Sequence, residues 1–245
     1  MKASVNTAIF VDRLNNGESQ LACLKDLEKL QDLIDNIQVR GEFFDAATKN
    51  DELERIQELC QQNNWGLYYS VPEELFKNQK INLSFKENLE LAKKHGIKHL
   101  KYFIGDVTNV SLKDIQEIDD LLGNSGVDLT LENLSNKTGD LTHVKKALNI
   151  IKNTNNIGFT FDAGNWYWVN EDPSEAFKEL ESQITNFHLK DIKNKDTTML
   201  GEGTTDWVWM IKELSDNIPI FLEYGIPNDK IVDQIQLVNS VIDKR

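Results

Sequence analysis

Short apolar or alternating runs, each followed by a longer amphipathic stretch, recur along the chain about every thirty residues, the rhythm of strands alternating with helices. The runs predict strands over 4–10, 37–44, 66–71, 98–104, 127–132, 157–162, 184–190 and 218–223. Helical periodicity between them predicts helices over 18–34, 50–63, 83–95, 111–122, 140–154, 173–183, 206–215 and 228–243. Local punctuation agrees: Asp172 before Pro173 and Asp206 read as helix starts, and Gly66 and Gly96 follow the ends of the second and third helices. With every strand separated from the next by a helix, neighbours are expected to run parallel through right-handed crossovers, and eight such units close a barrel. The expected fold is a single α/β domain over 1–245, a (β/α)8 TIM barrel with eight parallel strands; an open doubly wound sheet is the alternative.

Composition narrows the partners. Hydrophobic residues make up 40% of the chain, enough for a large core, and 40 acidic against 27 basic residues give a formal charge of −13. A polyanion would meet net repulsion at such a surface, so nucleic acid is not an expected partner. Cys23 and Cys60 form no CxxC and no paired framework, and read as small core residues in a reducing compartment. The opening MKASVNTAIFVDRLNN lacks a long apolar stretch with a small-residue cleavage site, and no segment approaches about eighteen apolar residues. A soluble, cytoplasmic protein with no membrane partner is the expectation.

In a barrel of this kind chemistry gathers at the carboxyl ends of the strands. The fifth strand ends VDLTLENL with Glu132, the sixth GFTFDAGNW with Asp162, the seventh NFHLKD with His188 and the eighth IFLEYG with Glu223. One such acidic end is ordinarily a cap or a solvated charge. Three at one mouth repel one another unless a cation sits between them. Three carboxylates and one imidazole suit a single oxygen-preferring divalent ion, Mn²⁺ first, with Mg²⁺ or Co²⁺ as substitutes; Zn²⁺ more often takes ligands richer in histidine or thiolate.

At these residues the chain resembles the xylose isomerase-like barrels, which include sugar-phosphate isomerases, sugar epimerases and inosose dehydratases. The segments that carry the resemblance are LEN at 131–133, FDAGN at 161–165, HLKD at 188–191, LGEGTTDW at 200–207 and LEY at 222–224, in an order most similar to the ketose 3-epimerase branch. The resemblance implies Glu132, Asp162, His188 and Glu223 as ligands of one metal. It further implies proton transfer through a metal-stabilised enediolate, with Glu132 and Glu223 as the proton-carrying pair. Relatives often pair their barrels, so a homo-oligomer is an arrangement the resemblance also offers. The departure is Asn165, where many relatives carry a histidine; Asn is not a strong metal ligand, which removes a member from any multi-zinc cluster.

Around this centre the sequence offers weaker substrate contacts. Lys190 alternates back toward the interior, where it reaches a substrate oxygen or phosphate, or else serves as a salt-bridged rim lysine. Asn165, Glu42 in RGEFFD, Tyr69 on the third strand and Trp166 with Trp168 complete the set; for the tryptophans, core packing competes with a sugar wall. LGEGTTDW reads as a tight turn into the Asp206 cap, or alternatively as a phosphate cradle. His95, His99 and His143 read as surface or packing residues. The expected function is a metal-dependent isomerase or epimerase of a small sugar or sugar phosphate. An inosose dehydratase-like lyase and a non-catalytic sugar-binding barrel are the alternatives. An apurinic-site endonuclease is opposed by the charge and by Asn165.

Overall fold

A computed structural model describes residues 1–245. Its strands are β1 (Ala3–Asn6), β2 (Ile34–Arg40), β3 (Gly66–Lys77), β4 (Lys80–Ile81), β5 (His99–Gly105), β6 (Asp128–Glu132), β7 (Ile157–Asp162), β8 (Ile184–Leu189), β9 (Asp191–Lys193), β10 (Asp196–Thr198) and β11 (Ile220–Leu222). Its helices are α1 (Val11–Asn15), α2 (Gln20–Lys25), α3 (Lys49–Gln62), α4 (Ser84–Lys94), α5 (Leu112–Gly123), α6 (Leu141–Ile151), α7 (Pro173–Leu180), α8 (Trp207–Glu213) and α9 (Ile231–Ile242). Eight strands pair in parallel in the order β2-β1-β11-β8-β7-β6-β5-β3, and β2 also pairs with β3. That last ladder, Asn36 to Gly66 through Arg40 to Ser70, closes the barrel and leaves no stave edge free. The expected (β/α)8 architecture is therefore the observed one, and the open sheet is excluded.

Three expectations change in detail. The first strand stops at Asn6 rather than residue 10, because the Asn6 side chain accepts from the Ala8 N–H and winds Thr7–Phe10 into a 3-10 turn. The helix expected over 18–34 splits after α2, and Glu28–Leu33 is a 3-10 run. Leu27, Leu30 and Leu33 recur every third residue there, the spacing that lines up on a three-fold rather than a 3.6-fold helix. The third strand runs six residues past residue 71, through Pro72, and its register with β5 shifts between Ser70 and Glu74. Proline, which donates no hydrogen bond, falls at that irregularity.

Alternation along the staves separates two environments. One set of side chains, Val5, Val39, Leu100, Tyr102, Leu131, Phe161 and Leu189 among them, joins the continuous apolar core between barrel and helices. Phe161, for example, meets Phe177 of α7 edge to face at 5.6 Å. The other set fills the barrel and is polar: Ser4, Asn6, Gln38, Ser70, His99, Lys101, Thr130, Glu132, Thr160, Asp162, Asn186 and His188 are all buried. Barrels of this class more often fill with bulky branched residues. Here hydrogen bonds replace them, from Asn186 to Thr160 (3.1 Å), Thr160 to Thr130 (2.6 Å) and between Thr130 and the His99 Nε2 (2.9 Å). No helix is long and apolar enough to cross a membrane.

Candidate metal centre

Glu132 and Asp162 are the last residues of β6 and β7, His188 is the last but one of β8, and Glu223 follows β11. Parallel register (Glu132 beside Thr160, Asp162 beside His188) aims all four into one mouth. One ligand atom from each lies within 4.8 Å of the other three, and all four residues are buried. His188 Nδ1 is 3.2 Å from Glu132 Oε1 and 3.0 Å from Glu223 Oε2.

Each carboxylate has one oxygen held by the protein and another facing the shared space. Asp162 Oδ1 accepts from the backbone N–H groups of Gly164 (2.8 Å) and Asn165 (3.0 Å). Glu223 Oε1 accepts from Asn6 Nδ2 at 3.0 Å and lies 3.5 Å from the Arg40 guanidinium. Glu132 Oε2 forms an ion pair with Lys101 Nζ at 2.5 Å. Left over are Asp162 Oδ2, Glu223 Oε2, Glu132 Oε1 and His188 Nδ1. Lys190 Nζ contacts two of these, Asp162 Oδ2 at 2.5 Å and Glu223 Oε2 at 2.9 Å. A protein ammonium thus sits where these oxygens call for positive charge.

The titration behaviour expresses the same demand. Burial pushes the Glu132 carboxyl up, but Lys101 and then His188 outweigh it and hold the group down at about 2. Burial raises Asp162 to about 7 against the pull of Lys190. Burial disfavours the His188 imidazolium, yet Glu223 and Glu132 overcome this and lift it to about 9, so without a metal the ring takes up a proton. Glu223 is held well below the usual carboxylate range despite burial, by His188, Lys190 and Arg40. A divalent ion would supply that charge in place of the proton, and four donors with three hard oxygens fit one. At metal–oxygen distances of about 2.0–2.6 Å, ligands on opposite sides of such an ion would stand about 4.0–5.2 Å apart, a range that takes in the 4.8 Å spread seen here.

The substrate-contact candidates divide. Lys190 lies in the centre, and Glu42 lies at its rim, paired with Arg40 at 2.6 Å. Asn165 Nδ2 donates to the Asn133 carbonyl at 2.8 Å, so this amide braces β6 against the turn after β7. Two expectations are corrected. Trp166 is fully buried with its ring 5.3 Å from Phe161, and Tyr69 is buried on the helix-facing side of β3, stacked with Phe44. Neither presents a face to a ligand at the mouth. The phosphate cradle is also excluded, because the N–H groups of Gly201, Gly203 and Thr205 already point at the buried Asp191 carboxylate (2.9, 2.9 and 3.0 Å).

Lys101, Asn6, Gln38, Arg40 and Asn133 were not singled out from the sequence. Asn133 Oδ1 accepts from the Asp162 N–H (2.8 Å) and its Nδ2 donates to the Asp162 carbonyl (3.1 Å), continuing the β6–β7 ladder through a side chain. Gln38 Oε1 accepts from Asn6, which fixes the Asn6 amide under Glu223. The signal for Lys101 was alternation: Leu100, Tyr102 and Ile104 take the helix side, so Lys101 turns inward.

A closed parallel barrel with a carboxylate–histidine cluster at its carboxyl mouth defines a class of metal-site TIM barrels. The model of the xylose isomerase-like TIM barrel family matches residues 28–241, and the chain belongs to that family. Among solved structures it is similar to the IOLI protein with a binding zinc atom (TM-score 0.76, 19% identity, 100% of this chain and 99% of that one). It is also similar to a D-tagatose 3-epimerase-like protein (0.71, 16%, 100% and 98%). A third is the probable 3-DHS dehydratase AsbF from Bacillus anthracis (0.70, 17%, 100% of both chains). Among curated proteins, none matches the sequence significantly.

Proposed function

We propose that the protein is a metal-dependent isomerase or epimerase of a small sugar or sugar phosphate, with Glu132, Asp162, His188 and Glu223 holding one divalent ion, Mn²⁺ by preference. One observation carries this reading: three carboxylates each have one oxygen pinned and the other turned, with His188 Nδ1, toward a common point. The ion supplies Lewis acidity that makes the carbon-bound hydrogen beside a substrate carbonyl acidic. Glu132 and Glu223 flank that position and move the proton. They are unequal, since Glu132 takes a proton on Oε2 only by giving up Lys101, whereas Glu223 faces Lys190 at the half-open side. Lys190, whose contacts to Asp162 and Glu223 a bound ion would replace, is the group that would meet a substrate oxygen, and Glu42 with Arg40 forms the rim. The formal charge of −13 supports a small molecule rather than nucleic acid as partner.

The test combines metal analysis of protein prepared without chelator with solvent-deuterium incorporation into a panel of ketoses, ketose phosphates and inososes. One equivalent of metal, lost in Glu223→Ala, with deuterium entering a recovered sugar, is expected. Deuterium entry with loss of water from the sugar supports a dehydratase instead. Bound metal without exchange supports a sugar-binding barrel, and a metal-free wild type overturns the reading.

A further inference from the structure

The fully inward Lys101 is unusual: its side chain is 1% exposed on β5, and lysine is almost never buried to that degree without a specific partner. Its ammonium lies 2.5 Å from Glu132 Oε2 and 3.7 Å from the centroid of the Phe103 ring. Phe103 and Glu132 are register partners on β5 and β6, so the ammonium is clamped between one carboxylate oxygen and one aromatic face, both set by the sheet. The other oxygen, Oε1, is the one beside His188 Nδ1.

We infer that Lys101 is a positioning residue that restricts Glu132 to a single-oxygen ligand and so keeps two positions on the bound ion free for substrate. The inference rests on the metal reading above and deepens it. A six-coordinate ion with four single-atom protein ligands has two positions left, the number needed for a carbonyl oxygen and the neighbouring hydroxyl. Glutamate readily binds such ions through both oxygens, and a chelating Glu132 would take one of those positions. Asp162 and Glu223 are held from chelating by backbone amides, Asn6 and Arg40. At Glu132 Oε2 the ammonium performs that task alone, for no hydrogen-bond donor reaches this oxygen with good alignment.

The experiment loads wild type, Lys101→Met and Lys101→Arg with Mn²⁺, and counts exchangeable water ligands from the broadening of the Mn²⁺ electron paramagnetic resonance lines in ¹⁷O-enriched water. Wild type is expected to hold two waters. Lys101→Met, which keeps the length and loses the charge, is expected to hold one, with a changed zero-field splitting; Lys101→Arg restores the wild-type spectrum. A Lys101→Met spectrum and water count identical to wild type overturn the inference while leaving the metal centre intact. Should Lys101→Met not fold, the wild-type count decides, since a single water there means that Glu132 chelates despite Lys101. A wild type that binds no Mn²⁺ overturns both this inference and the reading beneath it.

Discussion

The backbone N–H of Gly203 donates to Asp191 Oδ2 at 2.9 Å, and a methyl group at Gly203 would stand 2.0 Å from Asp191 Oδ1. The loop after β10 is therefore moulded on a carboxylate that the chain itself supplies, one residue beyond Lys190. Gly203→Ala is expected to lower unfolding free energy by about 1–3 kcal/mol, the usual cost of overpacking a buried site. Gly201, by contrast, has a positive φ of 88° with open space around its Cα. Gly201→Ala meets only the backbone cost of a left-handed conformation, about 1–2 kcal/mol. Urea denaturation of the two variants checks the ranking; equal losses would show that the Asp191 contact adds nothing.

Lys190 holds two of the oxygens that a bound ion would take. Its ammonium lies between Asp162 Oδ2 and Glu223 Oε2, so Lys190→Met leaves metal-free protein with buried carboxylates short of a partner, a loss of about 3 kcal/mol. Mn²⁺ at about a hundred times its Kd stabilises a native state by about 2.7 kcal/mol, and more where binding tightens. The gap in melting temperature between wild type and Lys190→Met should narrow on adding Mn²⁺ and reopen on chelation. An unchanged gap would mean that ammonium and ion occupy separate places.

Much of this centre could be read from the sequence because its ligands end strands: Glu132, Asp162 and His188 each close a run of alternating residues. The helpers were hidden for an equally physical reason. Asn6, Gln38 and Lys101 lie at or before strand ends, where polar residues ordinarily face water, and only the polar filling of this barrel turns them inward. Trp166 misled in the other direction, since a loop position says nothing of burial and its indole packs on Phe161. The β9–β10 hairpin escaped notice because its turn uses Asn194 and Lys195 at positive φ, with no glycine to mark it.

His99 gives the fold a dependence on pH. It stacks on Tyr68 at 5.0 Å and meets Thr130 through Nε2, buried at the amino end of the barrel. Burial, with a smaller push from His188, lowers it from 6.5 to about 3. Between those values the unfolded chain binds a proton that the native chain does not. Its contribution is whole above about pH 6.5 and falls as pH drops toward 3, by up to about 1.4 kcal/mol per unit. His99→Gln should flatten the slope of unfolding free energy against pH between about 4 and 6.5. Parallel slopes for variant and wild type would assign the acid sensitivity to other groups.

Asn133 and Asn165 set the place of Asp162 without touching its free oxygen. Asn133 exchanges two hydrogen bonds with the Asp162 backbone, while Asn165 donates a side-chain bond to the Asn133 carbonyl and a backbone bond to Asp162 Oδ1. Asn133→Ala removes two buried bonds and leaves the Asp162 N–H without a partner, for a loss of about 2–4 kcal/mol; Asn165→Ala removes one side-chain bond and should cost about 1 kcal/mol. Groups that orient a ligand commonly account for about 10- to 100-fold in metal affinity. Both variants should therefore bind Mn²⁺ more weakly in calorimetric titration, Asn133→Ala the more so. Asn165→His lengthens the side chain and gives up the amide that reaches Asn133, so it should resemble Asn165→Ala and not gain a second equivalent of metal. A second equivalent would show that this position needs only a better donor to extend the centre, and would place the limit on ion number at residue 165.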